Sequence, residues 1–236
     1  MKTLLSWSSG KDSAWALHVL RGGADVEVVG LLTTINAVAG RVAMHAVREE
    51  LLDQQAAALG LPVVKLRIPS PCSNDRYDAV MAAAMERARA DGIEAIAFGD
   101  LFLEDVRRYR EQRLEPTGVT AVFPLWGRPT AAVAREMVEA GMRAVITCVD
   151  PRQLDPGFAG RTFDAAFLSG LPATVDPCGE NGEFHTFAFA GPMFSSPLPV
   201  EPGIIVERDG FVFADLQLAT SPPDPMPPWI PLDVRD

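Results

Sequence analysis

Lysine and cysteine are scarce in this chain of 236 residues. Only three of its 21 basic residues are lysines, and the net charge is −10. An extensive nucleic-acid surface needs clustered basic residues, so this composition argues against one. The three cysteines include no Cys-x-x-Cys pair, which argues against a disulfide framework, a zinc ribbon and a locally spaced iron–sulfur site.

Long apolar runs are also missing. No run approaches the roughly 18 residues that cross a bilayer, so we expect no membrane-spanning helix. The N-terminal apolar run meets Ser8 and Gly10 before it reaches the length of a signal-peptide core, and we therefore expect a cytoplasmic protein. With 48% apolar residues, the chain is long enough to form one large domain or two small ones.

Strand-like and helix-like segments alternate through the first half of the sequence. Such alternation predicts a mostly parallel sheet with helices on both faces. The expected strands are 3–5, 26–34, 61–68, 93–98 and 119–123, and the expected helices are 14–20, 45–59 and 74–90.

The second half has a different character. It has a predicted helix at 130–140 and a predicted strand at 144–149, and Asp209-Gly210 between two apolar runs indicates a hairpin. We therefore predict an α/β fold: a Rossmann-like parallel sheet in residues 1–127 and a smaller α+β lobe in residues 128–236. The lobe ends in a proline-rich tail, which we expect to be extended and held by Trp229.

The segment Ser6–Ser13 joins the first predicted strand to the first predicted helix. Its small residues leave backbone N–H groups free at a helix N-terminus, where phosphate oxygens bind readily. Lys11 adds a positive charge, so we interpret the loop as a nucleotide site, with a serine-rich helix cap as the alternative. A Walker A loop is excluded because Leu5 and Asp12 stand where it needs glycine and Ser or Thr.

Two other predicted strand ends are expected to face this loop. Gly99-Asp100 ends the fourth strand and Thr33 lies near the end of the second, and ligands bind near strand carboxyl ends where the strand order reverses. Asp12 and Asp100 are candidate magnesium ligands, because Mg²⁺ prefers one or two carboxylates plus phosphates. Their alternatives are purely local roles, as a first-turn carboxylate and a helix N-cap.

Two further groups are candidates for binding a substrate. Arg107 and Arg110 share a face of a charged predicted helix, and their guanidinium forks suit a triphosphate or an acidic substrate. The alternative is a set of solvated ion pairs along that helix. Trp126 belongs to the apolar segment 123–127, which is either a wall of the crevice or a buried edge.

Reactive residue types are densest in the segment Cys178–Thr186. Its spacing matches no standard zinc signature, and a plain hairpin turn is the structural alternative. We take Glu180, Glu183 and His185 as candidate acid/base groups. Cys178 and Asn181 are candidate substrate contacts.

Together these segments resemble the diphthine–ammonia ligase family of pyrophosphate-loop ATPases. Ser9 stands where that family usually has glycine, and segment 101–110 resembles the bacterial branch of the family. The matching segments are Ser8–Ser13, Gly99-Asp100, Glu115-Pro116 with 123–127, and Cys178–Thr186.

The resemblance implies an adenine nucleotide α-hydrolase-like fold and an ATP-dependent ligase that uses Mg²⁺. Such an enzyme adenylates a small-molecule or protein-borne carboxylate, and ammonia or an amine then displaces AMP. The implied ATP-binding residues are those of the Ser8–Ser13 loop with Thr33, Gly99 and Asp100, and the implied catalytic residues are Lys11, Glu180, Glu183 and His185. A non-catalytic ATP- or AMP-binding sensor is the alternative, and the oligomeric state is left open, with a homo-oligomer among the alternatives.

Overall fold

The structure is a computed structural model that describes residues 1–42, 47–69 and 71–219. The predicted tail and its Trp229 lie outside these residues, as does the start of the predicted helix 45–59. The strands are β1 (Lys2–Ser6), β2 (Glu27–Asn36), β3 (Arg41–Val42), β4 (Val63–Ile68), β5 (Ala95–Ala97), β6 (Thr120–Val122), β7 (Arg143–Val149), β8 (Phe184–Ala190), β9 (Val200–Arg208) and β10 (Phe211–Leu218). The helices are α1 (Lys11–Gly22), α2 (Glu49–Leu59), α3 (Asn74–Ala90), α4 (Glu104–Leu114), α5 (Thr130–Glu139) and α6 (Ala165–Gly170).

The first sheet confirms the predicted α/β class. β1 lies between β2 and β5 and pairs with both in parallel, while β4 and β6 extend the sheet in parallel on either side. The chain therefore moves outward from β1 in one direction and later returns to its other side. This reversal of strand order lies between β1 and β5, where a ligand crevice is expected in a Rossmann-like fold.

Helices cover both faces of this sheet, because its central strands are buried on both sides. In β2 the neighbouring residues Leu31 and Leu32 belong to different apolar clusters, as do Ala97 and Ile96 in β5. Successive strand residues point to opposite faces, so the two clusters lie on the two faces. The buried apolar side chains of α1 and α2 belong to the larger cluster, whereas Met85 of α3 and Leu114 of α4 belong to the smaller one.

The second half forms a separate antiparallel sheet in the order β8-β7-β10-β9. The predicted hairpin is β9 and β10, joined at Asp209-Gly210, and both turn residues have positive φ. Strand β8 is missing from the sequence prediction. Its side chains, including Phe184 and Phe187, enter the same apolar cluster as those of α1 and α2, so the two sheets share one core.

Membrane insertion of a helix is not supported in the part of the chain that the structure describes. None of its helices combines the length and the apolar character needed to cross a bilayer.

Candidate functional site

The loop after β1 leads directly into the N-terminus of α1. Gly10 occupies the N-cap position and supplies no side-chain cap, and the N–H of the first helical residue, Lys11, is bonded to a side chain of β8. The first N–H groups of a helix lack intrahelical acceptors, which favours the binding of an anion there. Ser9 has φ +70°, which a serine adopts at a cost that the usual glycine avoids. The hydroxyl of Ser13 is directed back to the Gly10 carbonyl at 2.9 Å.

Strand β8 of the second sheet holds this loop through the backbone. The Lys11 N–H donates to Thr186 Oγ1 at 3.0 Å, and the Ala188 N–H donates to the Ser9 carbonyl at 2.9 Å. A buried glutamine of α2, Gln55, adds a side-chain clamp: its Nε2 donates to the carbonyls of Ser9 at 3.0 Å and Ala188 at 2.6 Å. Gln55 is absent from the sequence prediction, although it lies one helical turn after Leu51 on the apolar face of α2.

The side chain of Lys11 is buried and joins the loop to the turn before β8. Its Nζ lies 2.9 and 3.0 Å from the two carboxylate oxygens of Asp12 and donates to the Cys178 carbonyl. The ring of Phe184 packs beneath the ammonium, 5.2 Å from it. Burial disfavours the charged form, but Asp12 and the other negative groups nearby outweigh it and raise the pKa of Lys11.

The end of β5 approaches the loop as closely as backbone allows. A Cβ on Gly99 would lie 2.9 Å from the backbone carbon and oxygen of Asp12, so a larger residue cannot stand there without displacing the loop. The next residue, Asp100, is not the N-cap of α4, which is Leu103. It instead forms a bidentate ion pair with Arg110, at 2.8 and 3.0 Å.

A cavity of about 270 Å³ lies between the loop, the end of β5 and the turn before β8. We call it the phosphate cavity. The structure thus brings together most of the predicted nucleotide residues with part of the second-half motif. The predicted residues that border the phosphate cavity are Ser8, Lys11, Asp12, Ser13, Gly99, Asp100, Arg110, Glu180 and His185.

A second cavity of about 440 Å³ adjoins the first beyond the ends of β1, β2 and β4. We call it the strand-end cavity. It shares Ser6, Ser8 and Arg110 with the phosphate cavity. Its other lining residues are five apolar ones together with Thr34, Cys72, Asn74 and Tyr77. The predicted Thr33 turns the other way: it is buried, and its hydroxyl donates to the Trp7 carbonyl at 2.9 Å.

Glu180 is the titratable group best suited to proton transfer in the phosphate cavity. Burial raises the pKa of its carboxyl to about 7; the Leu101 N–H opposes this shift, while the charges of Asp12 and Asp100 reinforce it. The Leu101 N–H fixes one carboxylate oxygen at 2.8 Å. A carboxyl with a pKa near neutrality can exchange protons in both directions at physiological pH.

The other acid of the motif, Glu183, lies behind the cavity rather than in it. It is 1% exposed, and its Oε1 accepts from the Asp176 N–H at 2.9 Å and from Asn181 Nδ2 at 3.1 Å. In this arrangement Glu183 and Asn181 shape the turn that presents Glu180. Gly179 completes the turn at φ +68°, where a Cβ would lie 2.8 Å from the Phe184 carbonyl oxygen.

Three further predicted substrate contacts border neither cavity. The thiol of Cys178 is buried and donates to the Thr130 carbonyl, and burial raises its pKa well above the usual range of a thiol. Arg107 packs over the ring of Trp126, 4.7 Å away, and pairs with Glu111 at 2.7 Å. The predicted shared face of Arg107 and Arg110 therefore divides, and only Arg110 reaches the cavities.

The donor set for a divalent cation is sparse. Within the described residues no group of three or more His, Cys, Asp or Glu side chains could hold a metal ion. Asp12 and Asp100 both border the phosphate cavity and supply carboxylate oxygens, which suits Mg²⁺ if phosphate oxygens and water complete its shell.

Comparison with known families agrees with this architecture. The family model "Diphthamide synthase N-terminal domain" matches residues 1–120, and the model "Diphthamide synthase C-terminal domain" matches residues 129–213. The chain belongs to the diphthamide synthase family. The family resemblance expected from the sequence is thereby confirmed.

Several curated relatives carry the name diphthine–ammonia ligase. The Homo sapiens protein is 25% identical over 229 residues, covering 88% of this chain and 85% of its own length. The Danio rerio protein is 25% identical over 236 residues, covering 88% of this chain and 89% of its own. The Schizosaccharomyces pombe protein is 21% identical over 256 residues, covering 100% of this chain and 42% of its own. At these identities the chain shares a ligase family with them.

Proposed function

We propose that this protein is an ATP-dependent ligase that adenylates a carboxylate and transfers the acyl group to ammonia or an amine. The observation that carries the proposal is Glu180, a carboxyl with a pKa near 7 in a cavity that the first turn of α1 also borders. The names of the relatives, which describe ligation with ammonia, support the same reaction class.

The nucleotide would occupy the two adjoining cavities. The open end of α1 in the Ser8–Ser13 loop would hold the pyrophosphate part, because backbone N–H groups and the helix dipole favour anions there. The strand-end cavity, with its apolar lining, would hold adenosine. Asp12 and Asp100 would hold Mg²⁺, which would neutralise phosphate charge when bound. The proposal assigns nucleotide binding to residues 1–127 and completion of the site to the lobe of residues 128–236.

The reaction would proceed in two displacements. A substrate carboxylate oxygen attacks the α-phosphorus of ATP, the bond to the β-phosphate oxygen breaks, and pyrophosphate leaves. Ammonia then attacks the acyl carbon, the C–O bond to AMP breaks, and one proton of the attacking nitrogen must be removed. Adenylation is needed because a carboxylate is a poor electrophile, whereas AMP is a good leaving group.

Residues of the Cys178–Thr186 segment would serve the second step, the attack of ammonia on the acyl carbon. Deprotonated Glu180 would accept the proton from the attacking nitrogen, and His185 would face the same cavity as a second proton carrier. Lys11 would keep the loop and the turn together, and Glu183 would support Glu180 through the turn. Arg110 would bind the acid, and the packed pair of Arg107 and Trp126 would buttress its helix.

Product analysis tests this proposal. The protein is incubated with Mg-ATP, ammonium and a panel of carboxylic acids, and the nucleotides are separated. AMP with pyrophosphate, dependent on the acid, is expected. ADP with phosphate would refute cleavage at the α-phosphorus.

A nucleotide sensor without turnover is the second candidate. The observation in its favour is that Lys11 is already bonded to Asp12 and the Cys178 carbonyl, so its charge is largely compensated before any phosphate binds. Tight ATP binding with no AMP from any acid in the panel would favour the sensor.

A further inference from the structure

We infer that a third cavity, between α3 and α4, holds the apolar body of a small monocarboxylic acid whose carboxylate binds Arg110. This inference rests on the proposed function and names the substrate class for it. The cavity has a volume of about 390 Å³, within the range of about 300–1,000 Å³ typical of small-molecule sites. We call it the helix cavity.

The lining of the helix cavity is mostly apolar. Met81 and Met85 of α3, Leu114 of α4 and Pro116 all border it. Methionine side chains are flexible and polarisable, so they adapt to apolar ligands of varied outline. The site therefore suits an aliphatic or aryl-substituted chain rather than a sugar or a nucleotide.

Arg110 connects this cavity to the nucleotide site. It borders all three cavities, and it shares the boundary between the helix cavity and the phosphate cavity with Phe98, on whose ring it packs at 4.3 Å. The α-phosphate of ATP lies between adenosine and the pyrophosphate. In the proposed binding mode it therefore lies where the strand-end and phosphate cavities meet, at Ser6, Ser8 and Arg110. A carboxylate on Arg110 would be next to the atom that it must attack.

The guanidinium of Arg110 has the free edge that a carboxylate needs. Its Nη2 donates to one carboxylate oxygen of Asp100 at 3.0 Å, whereas its Nε lies 2.8 Å from the other oxygen as an ion-pair contact without a hydrogen bond. Among the described residues no acceptor is bonded to Nη1, and the side chain is 29% exposed. Asp100 holds the fork in place, and the remaining N–H groups can bind a carboxylate oxygen with charge assistance.

The other charged groups of the helix cavity disfavour a second carboxylate. Apart from Arg110, the charged side chains that border it are Asp78, Glu86 and Arg113. Arg113 is paired with Asp78 at 2.6 Å, which leaves the negative charge of Glu86 unbalanced within this lining. A dicarboxylic acid is therefore expected to bind more weakly than a monocarboxylic acid of equal length.

Binding without nucleotide tests the site apart from the reaction. Methionine methyl groups are labelled with ¹³C, and the full-length protein is titrated with acetate, hexanoate, adipate and 3-phenylpropanoate. The signals of Met81 and Met85 are expected to shift with hexanoate and 3-phenylpropanoate, whereas those of the core residues Met137 and Met142 stay unchanged. The two apolar monocarboxylates are expected to bind at least about tenfold more tightly than acetate or adipate, since each buried methylene adds affinity.

A matched pair of variants locates the binding. Ala82 borders the helix cavity and Ala83 follows it on α3, exposed and outside the cavities described above. Ala82→Phe is expected to weaken 3-phenylpropanoate at least tenfold, and Ala83→Phe is expected to leave its affinity unchanged. Equal affinity for all four acids, or equal effects of the two variants, would overturn the inference.

The outcomes separate this site from the reaction itself. Binding that Ala82→Phe abolishes, with no AMP formed in the presence of ATP and ammonium, would uphold the acid site and reject the adenylation. AMP formation from the same acid at an unchanged KM in Ala82→Phe would uphold the adenylation and reject the site.

Discussion

The two faces of the parallel sheet are packed very differently. On one face α1 buries seven of its 12 residues and α2 five of its 11, and both pack into the apolar cluster shared with the second sheet. On the other face α3 buries only Met85 and Ala88 of its 17 residues, and α4 buries only Leu114.

The two faces therefore have different roles: one supports the Ser8–Ser13 loop, and the other borders the cavities. The well-packed face positions the Ser8–Ser13 loop, because α1, Gln55 of α2 and strand β8 all pack on that face. The sparsely packed face has room for the helix cavity and carries Arg110 to the edge of all three cavities. A close-packed interior resists change, whereas few buried apolar contacts mean lower local stability.

Truncating one leucine on each face gives the largest expected effect. Leu52→Ala on α2 should lower the free energy of unfolding by about 4 kcal/mol, and Leu114→Ala on α4 by about 2 kcal/mol, since the cost of a cavity depends on how tightly its surroundings are packed. Urea unfolding of both variants measures the difference. Equal losses would show that the two faces of the sheet are packed equally tightly at these positions.

Turnover and its pH dependence test the proposed role of Glu180 in proton transfer. Glu180→Gln should reduce turnover about 100-fold while ATP affinity stays within about twofold, because a general base contributes this much and the phosphates bind elsewhere. In the native enzyme activity should rise with pH through a midpoint near 7, as Glu180 loses its proton. The variant should lack this rise, and a profile unchanged by the substitution would contradict the assignment.

The raised pKa of Glu180 also predicts how the stability of the protein changes with pH. The folded-state pKa of Glu180 lies above its unfolded value, so the folded protein holds the proton more tightly. Stability is therefore expected to fall as pH rises from the unfolded pKa of Glu180 through about 7. Urea unfolding of Glu180→Gln across this range should show a smaller decline than that of the native protein.

The contact between β5 and the loop offers a sterically defined test. Gly99→Ala should destabilise the protein by about 2 kcal/mol and weaken ATP binding, because the new methyl group would meet the Asp12 backbone at 2.9 Å. Gly22→Ala, at the end of α1 with nothing within 4 Å of the new Cβ, is the matched control and should be neutral or slightly stabilising. Thermal unfolding and ATP titration of the pair give both readouts.

The smallest expected effect is at Ser9. Ser9→Gly should stabilise the protein by about 1 kcal/mol, since glycine accepts φ +70° freely and the buried Ser9 hydroxyl, which has no partner among the described residues, is removed. Ser8→Gly serves as the control and should bring no such gain. A destabilised Ser9→Gly variant would show that the hydroxyl has a role of its own.

The sequence predicted what depends on local pattern. The continuous apolar run of β2, the loop between β1 and α1 and the Asp209-Gly210 hairpin all follow from neighbouring residues, and the structure contains each of them. The meeting of Asp12 with Gly99 also followed, because parallel strand ends share one edge of the sheet.

The features that were not predicted from the sequence depend on contacts between residues far apart in the chain. Strand β8 escaped prediction because apolar residues lie on both of its faces, among them Phe184 and Phe187, so its sequence lacks the usual alternation of apolar and polar residues. The side chain of Gln55 makes all its hydrogen bonds to residues at least 46 positions away. The sequence supplied the residue types of the second-half motif but not their directions: Glu180 points into the cavity, whereas the thiol of Cys178 and the carboxyl of Glu183 are directed into the protein.

The hydrogen bonds between the Ser8–Ser13 loop and β8 also determine when this loop can reach its final structure during protein synthesis. Lys11 is bonded to Thr186, 175 residues later in the chain, and Ser9 to Ala188. A ribosome therefore makes the Ser8–Ser13 loop first and its partners on β8 only when most of the chain has emerged. Until then the loop lacks the strand that fixes it, so the nascent chain acquires the final form of the proposed binding site near the end of translation.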